Sequence, residues 1–378
     1  MASSKEKVKG RTYNMNHLDN TINPKKWLKL VAALLGTVLV VSAITSYFLD
    51  PSMYYRKPSY RAFINPRYMN IGIIKNYSFD SVIVGSSMIM NSNMESFRKK
   101  LGWNPIKLTW GATTAADLGM LTKAAIKYKN PKNIFFSLDI FSFDTVPNTH
   151  QNIPEFLYDD TPFNDYKYLL GYETWLRFLP MDALINSSLS LGIKLPQQFM
   201  VNSEIDKIGE WKDEFKFGKK YVIKELKGSA MAWIKKETSS QYFKTTTENL
   251  DENLIKIIQQ DPGCKFNVVF PPYSVLPWTQ ALATGNLDNY LKFKSVACEK
   301  LLKFDNVQVF DFQPIESIIT NLDNYKDPTH FKPEFNEFML DCVISGKYRV
   351  RSSVDVQKNV VELKRLASLH SIKWYVKQ

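Results

Sequence analysis

Cysteine and histidine are scarce in this chain of 378 residues, which has three of the first (Cys264, Cys298, Cys342) and four of the second (His17, His150, His330, His370). Three cysteines are too few for a disulfide scaffold, none stands in a Cys-x-x-Cys pair, and small buried apolar side chains are their default role. No two histidines have the His-x-x-x-His spacing, so a zinc site has little to build on, and neither metal nor cofactor is expected. Long lysine or arginine runs, nucleic-acid motifs, internal repeats and low-complexity tracts are missing as well. Nucleic-acid binding is therefore not expected, despite a formal charge of +12.

What is present excludes a disordered chain: 44% of residues are apolar and 13% aromatic. The length suits one large or two ordinary domains. The charge is uneven. Residues 1–29 hold seven basic residues against Glu6 and Asp19, a net +5, and the remaining +7 is spread over the rest. That sign is compatible with an anionic polymer or membrane surface.

Residues 30–49 (LVAALLGTVLVVSAITSYFL) carry no charge, and twenty helical residues span about 30 Å of hydrocarbon. The run exceeds the usual core of a cleaved signal peptide, although Val41-Ser42-Ala43 has small residues, and it is too long and unbroken for an ordinary core helix. A transmembrane helix is expected, with 1–29 as a cytoplasmic basic tail and all that follows Asp50 outside the cell membrane. Residues 50–75, rich in proline, tyrosine and arginine, are expected to be a linker.

From Ser81 a strand–helix rhythm begins. Strands are expected at Ser81–Val84, Ile106–Trp110, Asn133–Leu138, Lys265–Phe270 and Val307–Phe310. Amphipathic helices fall between them: Met90, Met94, Phe97 and Leu101 form one stripe, and Thr245 with Glu248 offers a capping box for another. The pattern predicts a three-layer α/β/α domain over 76–346 with a flavodoxin-like, five-stranded parallel sheet. A mainly helical insertion at 145–245, dense in aromatics such as Tyr168, Trp175, Phe178, Trp211 and Trp233, interrupts it. Its simplest reading is a subdomain with its own core; roofing a site or docking a membrane partner are the alternatives. Residues 347–378 form a basic amphipathic tail that either packs on the domain or lies on a membrane.

Ligands of such sheets collect at the carboxyl ends of the strands. Those ends carry Gly85-Ser86-Ser87, Gly111, Asp139, Pro271-Pro272-Tyr273-Ser274 and the loop Asn324–His330. Gly-Ser-Ser after a strand and Asp-x-x-His near the end of a domain are each common alone; together, in this order, they supply a nucleophile, backbone donors, a carboxylate and an imidazole. Ser87 is the expected nucleophile, His330 its base and Asp327 the orienting carboxylate. The amides of Ser87 and Gly111 would form the oxyanion hole, helped by the N-terminal amides of the helix that follows the strand-to-helix turn at Ser87, and Gly85 would permit the sharp turn. Tyr273 and Ser274, beside Pro271, Pro272 and Trp278, are placed where an acceptor sugar could stack, or where the core ends. His150 and His370 have no comparable carboxylate spacing and are expected to be structural.

Gly85-Ser86-Ser87, Gly111 and Asp327-x-x-His330 resemble the first, second and last blocks of the SGNH (GDSL-like) hydrolases. With PPYSVLPW (271–278) and NYKDPTHFKPEFN (324–336), the chain looks most similar to membrane-anchored members of cell-envelope loci. The D-alanyl transfer protein of teichoic acid modification and the alginate acetylation proteins are of this kind. The resemblance covers about 76–145 and 245–346. It departs from the family where strand three ends Ser137-Leu138-Asp139 in place of Gly-x-Asn-Asp, and an ionised Asp139 would repel an oxyanion. Asp139 is thus expected to be structural or an acceptor-hydroxyl contact. The resemblance implies an extracytoplasmic O-acyltransferase working through acyl-Ser87 on a glycopolymer or teichoic acid, fed by a membrane-bound O-acyltransferase partner. An esterase of the same polymer and a non-catalytic scaffold for that partner are the competing expectations.

Overall fold

The five expected runs do form strands: β1 Ser81–Gly85, β2 Pro105–Thr109, β3 Asn133–Ser137, β4 Lys265–Phe270 and β5 Val307–Asp311. In the computed structural model, which describes residues 24–57, 65–151, 153–159, 161–192, 205–228 and 242–370, all five run parallel. The basic residues before Pro24, including His17, lie outside the described residues, as do Trp233 and the last eight positions. A sixth strand corrects the five-stranded expectation. β6, Arg349–Val350, pairs antiparallel with β5, giving the order β2-β1-β3-β4-β5-β6. Two residues are too short to show a period, so the pattern could not announce it.

The strands are buried along nearly their whole length, as a sheet covered on both faces requires. The covering helices are α2 (Pro66–Asn76), α3 (Met94–Leu101), α4 (Ala115–Lys129), α9 (Tyr242–Leu250), α10 (Lys256–Gln260), α11 (Val275–Ala283), α12 (Leu287–Leu301), α14 (Glu334–Ser345) and α15 (Ser353–Leu369). Short α5 (Ile140–Phe143), α6 (Tyr166–Leu169) and α13 (Glu316–Ile319) join α7 (Leu179–Ser190) and α8 (Lys219–Gly228) in the connections. Reciprocal capping boxes fix the starts of α4 (Thr114, Asp117) and α15 (Ser352, Asp355). The box expected at Thr245 and Glu248 does not start a helix: α9 already runs from Tyr242, and both residues lie inside it. Cys264, Cys298 and Cys342 are buried and free.

α1, Pro24–Leu49, is long and apolar enough to cross a membrane, and its apolar side chains are exposed. It ends where Asp50 takes a left-handed backbone and accepts hydrogen bonds from the amides of Tyr54, Tyr55 and Arg56 at 2.9–3.0 Å. The expected linker at 50–75 is therefore largely part of the domain. Met69, Ile71, Ile73 and Ile74 of α2 are core residues, and Gly72 sits so close that a Cβ there would meet the Met53 carbonyl oxygen at 2.3 Å. The tail from 347 packs likewise: Val356, Leu363, Leu366 and Ala367 of α15 are buried, and the helix lies on α11 and α12. Behind β5, Lys294 pairs with Asp311 at 2.7 Å, both buried, while Asn359 of α15 donates to the other carboxylate oxygen at 3.0 Å.

The insertion is mainly helical, but its described aromatics do not build a separate core. Tyr168 donates to Asp50, Phe178 packs edge-on against Tyr68 of α2, and Trp211 reaches the carboxyl edge of the sheet. These contacts stitch it onto the main domain.

Candidate active site

The carboxyl ends of β1 and β2 lie level, Gly85 opposite Thr109, so Ser87 and Gly111 each follow two residues beyond paired positions. Between β1 and β3 the strand order reverses, which makes this the switch-point crevice of the sheet. Gly85 is needed there for space rather than for a left-handed turn. A Cβ would lie 2.6 Å from the Ile89 side chain and 2.7 Å from that of Ser137, and its φ is not positive. Ser86 caps a single 3-10 turn, Ser87–Ile89, and α3 begins only at Met94. The helix expected directly after this turn thus starts later, and the backbone donors beside Ser87 are amides of the 3-10 turn rather than the end of a helix dipole. Gly111 is exposed with open space around it, while its neighbour Ala112 holds the left-handed backbone, φ 56°. Such strain in a residue with a Cβ marks a turn held by its surroundings.

Ser87 Oγ stands 2.8 Å from His330 Nε2, and His330 Nδ1 stands 2.7 Å from Asp327 Oδ2. The turn that delivers both partners is rigid. Asp327 Oδ1 accepts from the amides of Thr329 (2.9 Å) and His330 (2.8 Å), and a Tyr325–Phe331 bridge closes the loop, with Lys326 N donating to His330 O at 3.0 Å. Burial would raise the Asp327 carboxyl, but the hydrogen bond and charge of His330, with Lys326 Nζ at 2.9 Å, outweigh it and hold the group well below the carboxylate range. An ionised Asp327 fixes the proton on Nδ1 and leaves Nε2 to accept the Ser87 hydroxyl. The arrangement can deprotonate Ser87 during attack on an ester carbonyl and return the proton to the leaving oxygen.

Asp139 lies beneath the Ser86–Ser87 turn, not over it. Ser86 Oγ donates to its Oδ2 at 2.8 Å, and the Tyr273 hydroxyl donates to its Oδ1 along with the Phe141 amide at 3.1 Å. Burial pushes its carboxyl upward against those hydrogen bonds. The acceptor contacts expected of Tyr273 and Ser274 are corrected by their complete burial, and Trp278 is interior too. Ser274 caps α11 and donates to the Pro328 carbonyl inside the Asp327–His330 turn. These residues support the Ser87–His330–Asp327 array from behind. His150 Nδ1 is bound to buried Asp117 at 3.0 Å, in the cap of α4. Among the described residues no group of three His, Cys, Asp or Glu could hold a metal.

Two residues that the sequence did not single out complete the site. Trp211 packs edge-on against the His330 ring with centroids 5.5 Å apart, and its indole N–H donates to the Ser87 carbonyl at 3.1 Å. Asn91 Oδ1 accepts from the amides of Trp211 and Lys212, and Gly218 N donates to Tyr325 O, so the segment is pinned on both sides of the array. Trp211 is 124 residues from Ser87, and no spacing rule could join them. Trp211→Ala is expected to slow covalent labelling of Ser87 about 10²-fold, since a small misplacement of reacting groups has that cost. A Trp211→Ala labelling rate equal to wild type would deny the residue any positioning role.

The other is Lys107, a buried lysine in β2. Its Nζ donates to the Met90 carbonyl at 2.6 Å and lies 3.5 Å from Glu210, tying the turn after Ser87 to the Trp211 segment. Burial pushes its pKa down to about 8, against the pull of Glu210. An unfolded lysine titrates near about 10.4, so between these values the unfolded chain binds the extra proton and stability rises with pH. Wild type is therefore expected to gain stability relative to Lys107→Met from pH 8 to pH 10, measured by denaturant midpoints. A difference that stays flat or falls would refute the lowered pKa of Lys107.

No protein-family model and no curated protein matches the chain.

Proposed function

We propose that the chain is an extracytoplasmic serine O-acyltransferase that modifies a cell-envelope polysaccharide or teichoic acid through an acyl-Ser87 intermediate. The observation that carries this reading is the Ser87–His330–Asp327 relay at the switch point of the sheet. Strands β2-β1-β3-β4-β5 follow the flavodoxin-like order, which agrees with the resemblance to SGNH hydrolases. Apolar α1, with basic residues before it, supports a single membrane crossing with the amino end inside.

In the first half-reaction Ser87 Oγ attacks the carbonyl carbon of an acyl donor while His330 takes the hydroxyl proton. The amides of Ser87 and Gly111 receive the oxyanion, the donor's leaving oxygen departs with the proton from His330, and the acyl ester on Ser87 remains. A polymer hydroxyl then attacks that ester, its proton passing through His330 back to Ser87. A membrane-bound O-acyltransferase is the proposed source of the acyl group. Trp211 covers one side of the His330 ring, and shielding of the base from water is what would favour transfer over hydrolysis. Separate samples of the full chain, in detergent, would be incubated with a fluorophosphonate or with an activated acyl donor and polymer. Adduct on Ser87 with net ester gain on the polymer is the expected result. Net ester loss would make the protein an esterase, and a folded chain with no adduct would leave the scaffold reading.

A further inference from the structure

A second surface lies where the insertion meets the end of α1. The Tyr168 hydroxyl of α6 donates to Asp50 Oδ1 at 2.9 Å and accepts from the Ser52 amide at 3.0 Å, and Asp165 accepts from the hydroxyl of Tyr55 at 3.2 Å. α6 is thereby packed on α1 at the level of Tyr47 and Phe48, with the Arg56 guanidinium 4.4 Å from the Tyr47 ring centroid. Aromatic and basic side chains at the end of an apolar helix are what the membrane–water boundary selects.

Immediately beyond α6, a π-turn over Glu173–Phe178 continues into α7. Thr174 and Phe178 face the protein. On the other side, Tyr172, Leu176, Leu184 and Leu191 recur at intervals that keep them on one face, and all are exposed, Leu176 at 68% and Leu191 at 74%. Phe163 (87%) and Tyr166 are exposed just before them. A helix facing water would be polar there. No described residue covers this stripe, and it is continuous with the segment bonded to the end of α1.

We propose that Phe163–Leu191 is an interfacial element whose apolar face enters the outer leaflet of the bilayer that α1 crosses, a proposal that rests on the membrane-spanning reading of α1. The occupant is the lipid surface itself. Together with the Asp50–Tyr168 contact, it would hold the catalytic domain at a fixed attitude to the membrane from which the acyl group arrives. Amphipathic helices bind in this way by burying one apolar face at the headgroup boundary.

Because the native cysteines are buried, single surface cysteines can be spin-labelled selectively. Tyr172→Cys, Leu176→Cys and Leu184→Cys, with Val38→Cys in α1 and Val354→Cys on the exposed face of α15 as references, would be reconstituted as full chain into phosphatidylcholine–phosphatidylglycerol vesicles. The expected result is that the three stripe labels collide more with oxygen than with a water-soluble nickel chelate, as Val38 does, and that the ratio reverses at Val354. Stripe labels behaving like Val354 while Val38 stays in lipid would overturn the interfacial element alone and point to a protein partner. An aqueous Val38 label would overturn the membrane crossing and the proposal with it. Neither result touches the chemistry assigned to Ser87.

Discussion

Ser87→Ala is expected to abolish fluorophosphonate labelling and to lower acyl turnover by about 10⁴–10⁶-fold, the range seen when a serine–histidine pair loses either member. His330→Ala should lose a similar amount, because a serine hydroxyl without a base is a poor nucleophile. The two together should be little worse than either alone, since they act as one unit through the 2.8 Å contact between Ser87 Oγ and His330 Nε2. Ser86→Ala is the control. Its hydroxyl is committed to Asp139, so the adduct should still form on Ser87, more slowly if the turn loosens. Labelling that moved to Ser86, or that survived in Ser87→Ala, would show that the relay is misassigned.

The distinction between those two serines was legible because a motif fixes order along the chain, and order along a parallel sheet fixes position at its edge. β1, β2 and the Asp327–His330 loop each deliver their residues a step or two past a buried strand or turn, so short-range pattern suffices. What the sequence did not disclose has one physical origin, contact between residues far apart. The antiparallel β6 is two residues long, and Gly72 needs its missing side chain only because the Met53 carbonyl lies against it. Tyr273 and Ser274 follow a strand, as ligand-binding residues do, yet Asp139 and Pro328 claim their hydroxyls within the interior. Trp211 belongs to an insertion whose composition suggested a self-contained core, whereas its indole is spent on Ser87 and His330. Burial decides between such readings, and burial is not a local property of sequence.

Asp327→Asn isolates the electrostatic part of the relay. The amide oxygen can still accept from the Thr329 and His330 amides, as Oδ1 does now at 2.9 and 2.8 Å, so the turn should persist and the melting midpoint change by only a few degrees. The side-chain NH2 would then face His330 Nδ1, which favours the tautomer with its proton on Nε2 and removes the acceptor that Ser87 needs. Loss of the negative charge also withdraws support from the imidazolium formed during attack. A fall of about 10⁴-fold in the acylation rate is expected. The pH dependence follows from the position of the carboxyl. Because its folded pKa lies below the ordinary value, the stabilisation from Asp327 is complete above the unfolded value of about 3.9 and is lost only as pH falls through the folded one. Above pH 5 Asp327 therefore adds no slope to stability, and an acid limb in the wild-type rate there belongs to another group. If Asp327→Asn kept more than a tenth of the wild-type acylation rate with its fold intact, the carboxylate would be a scaffold for the loop rather than a partner of the base.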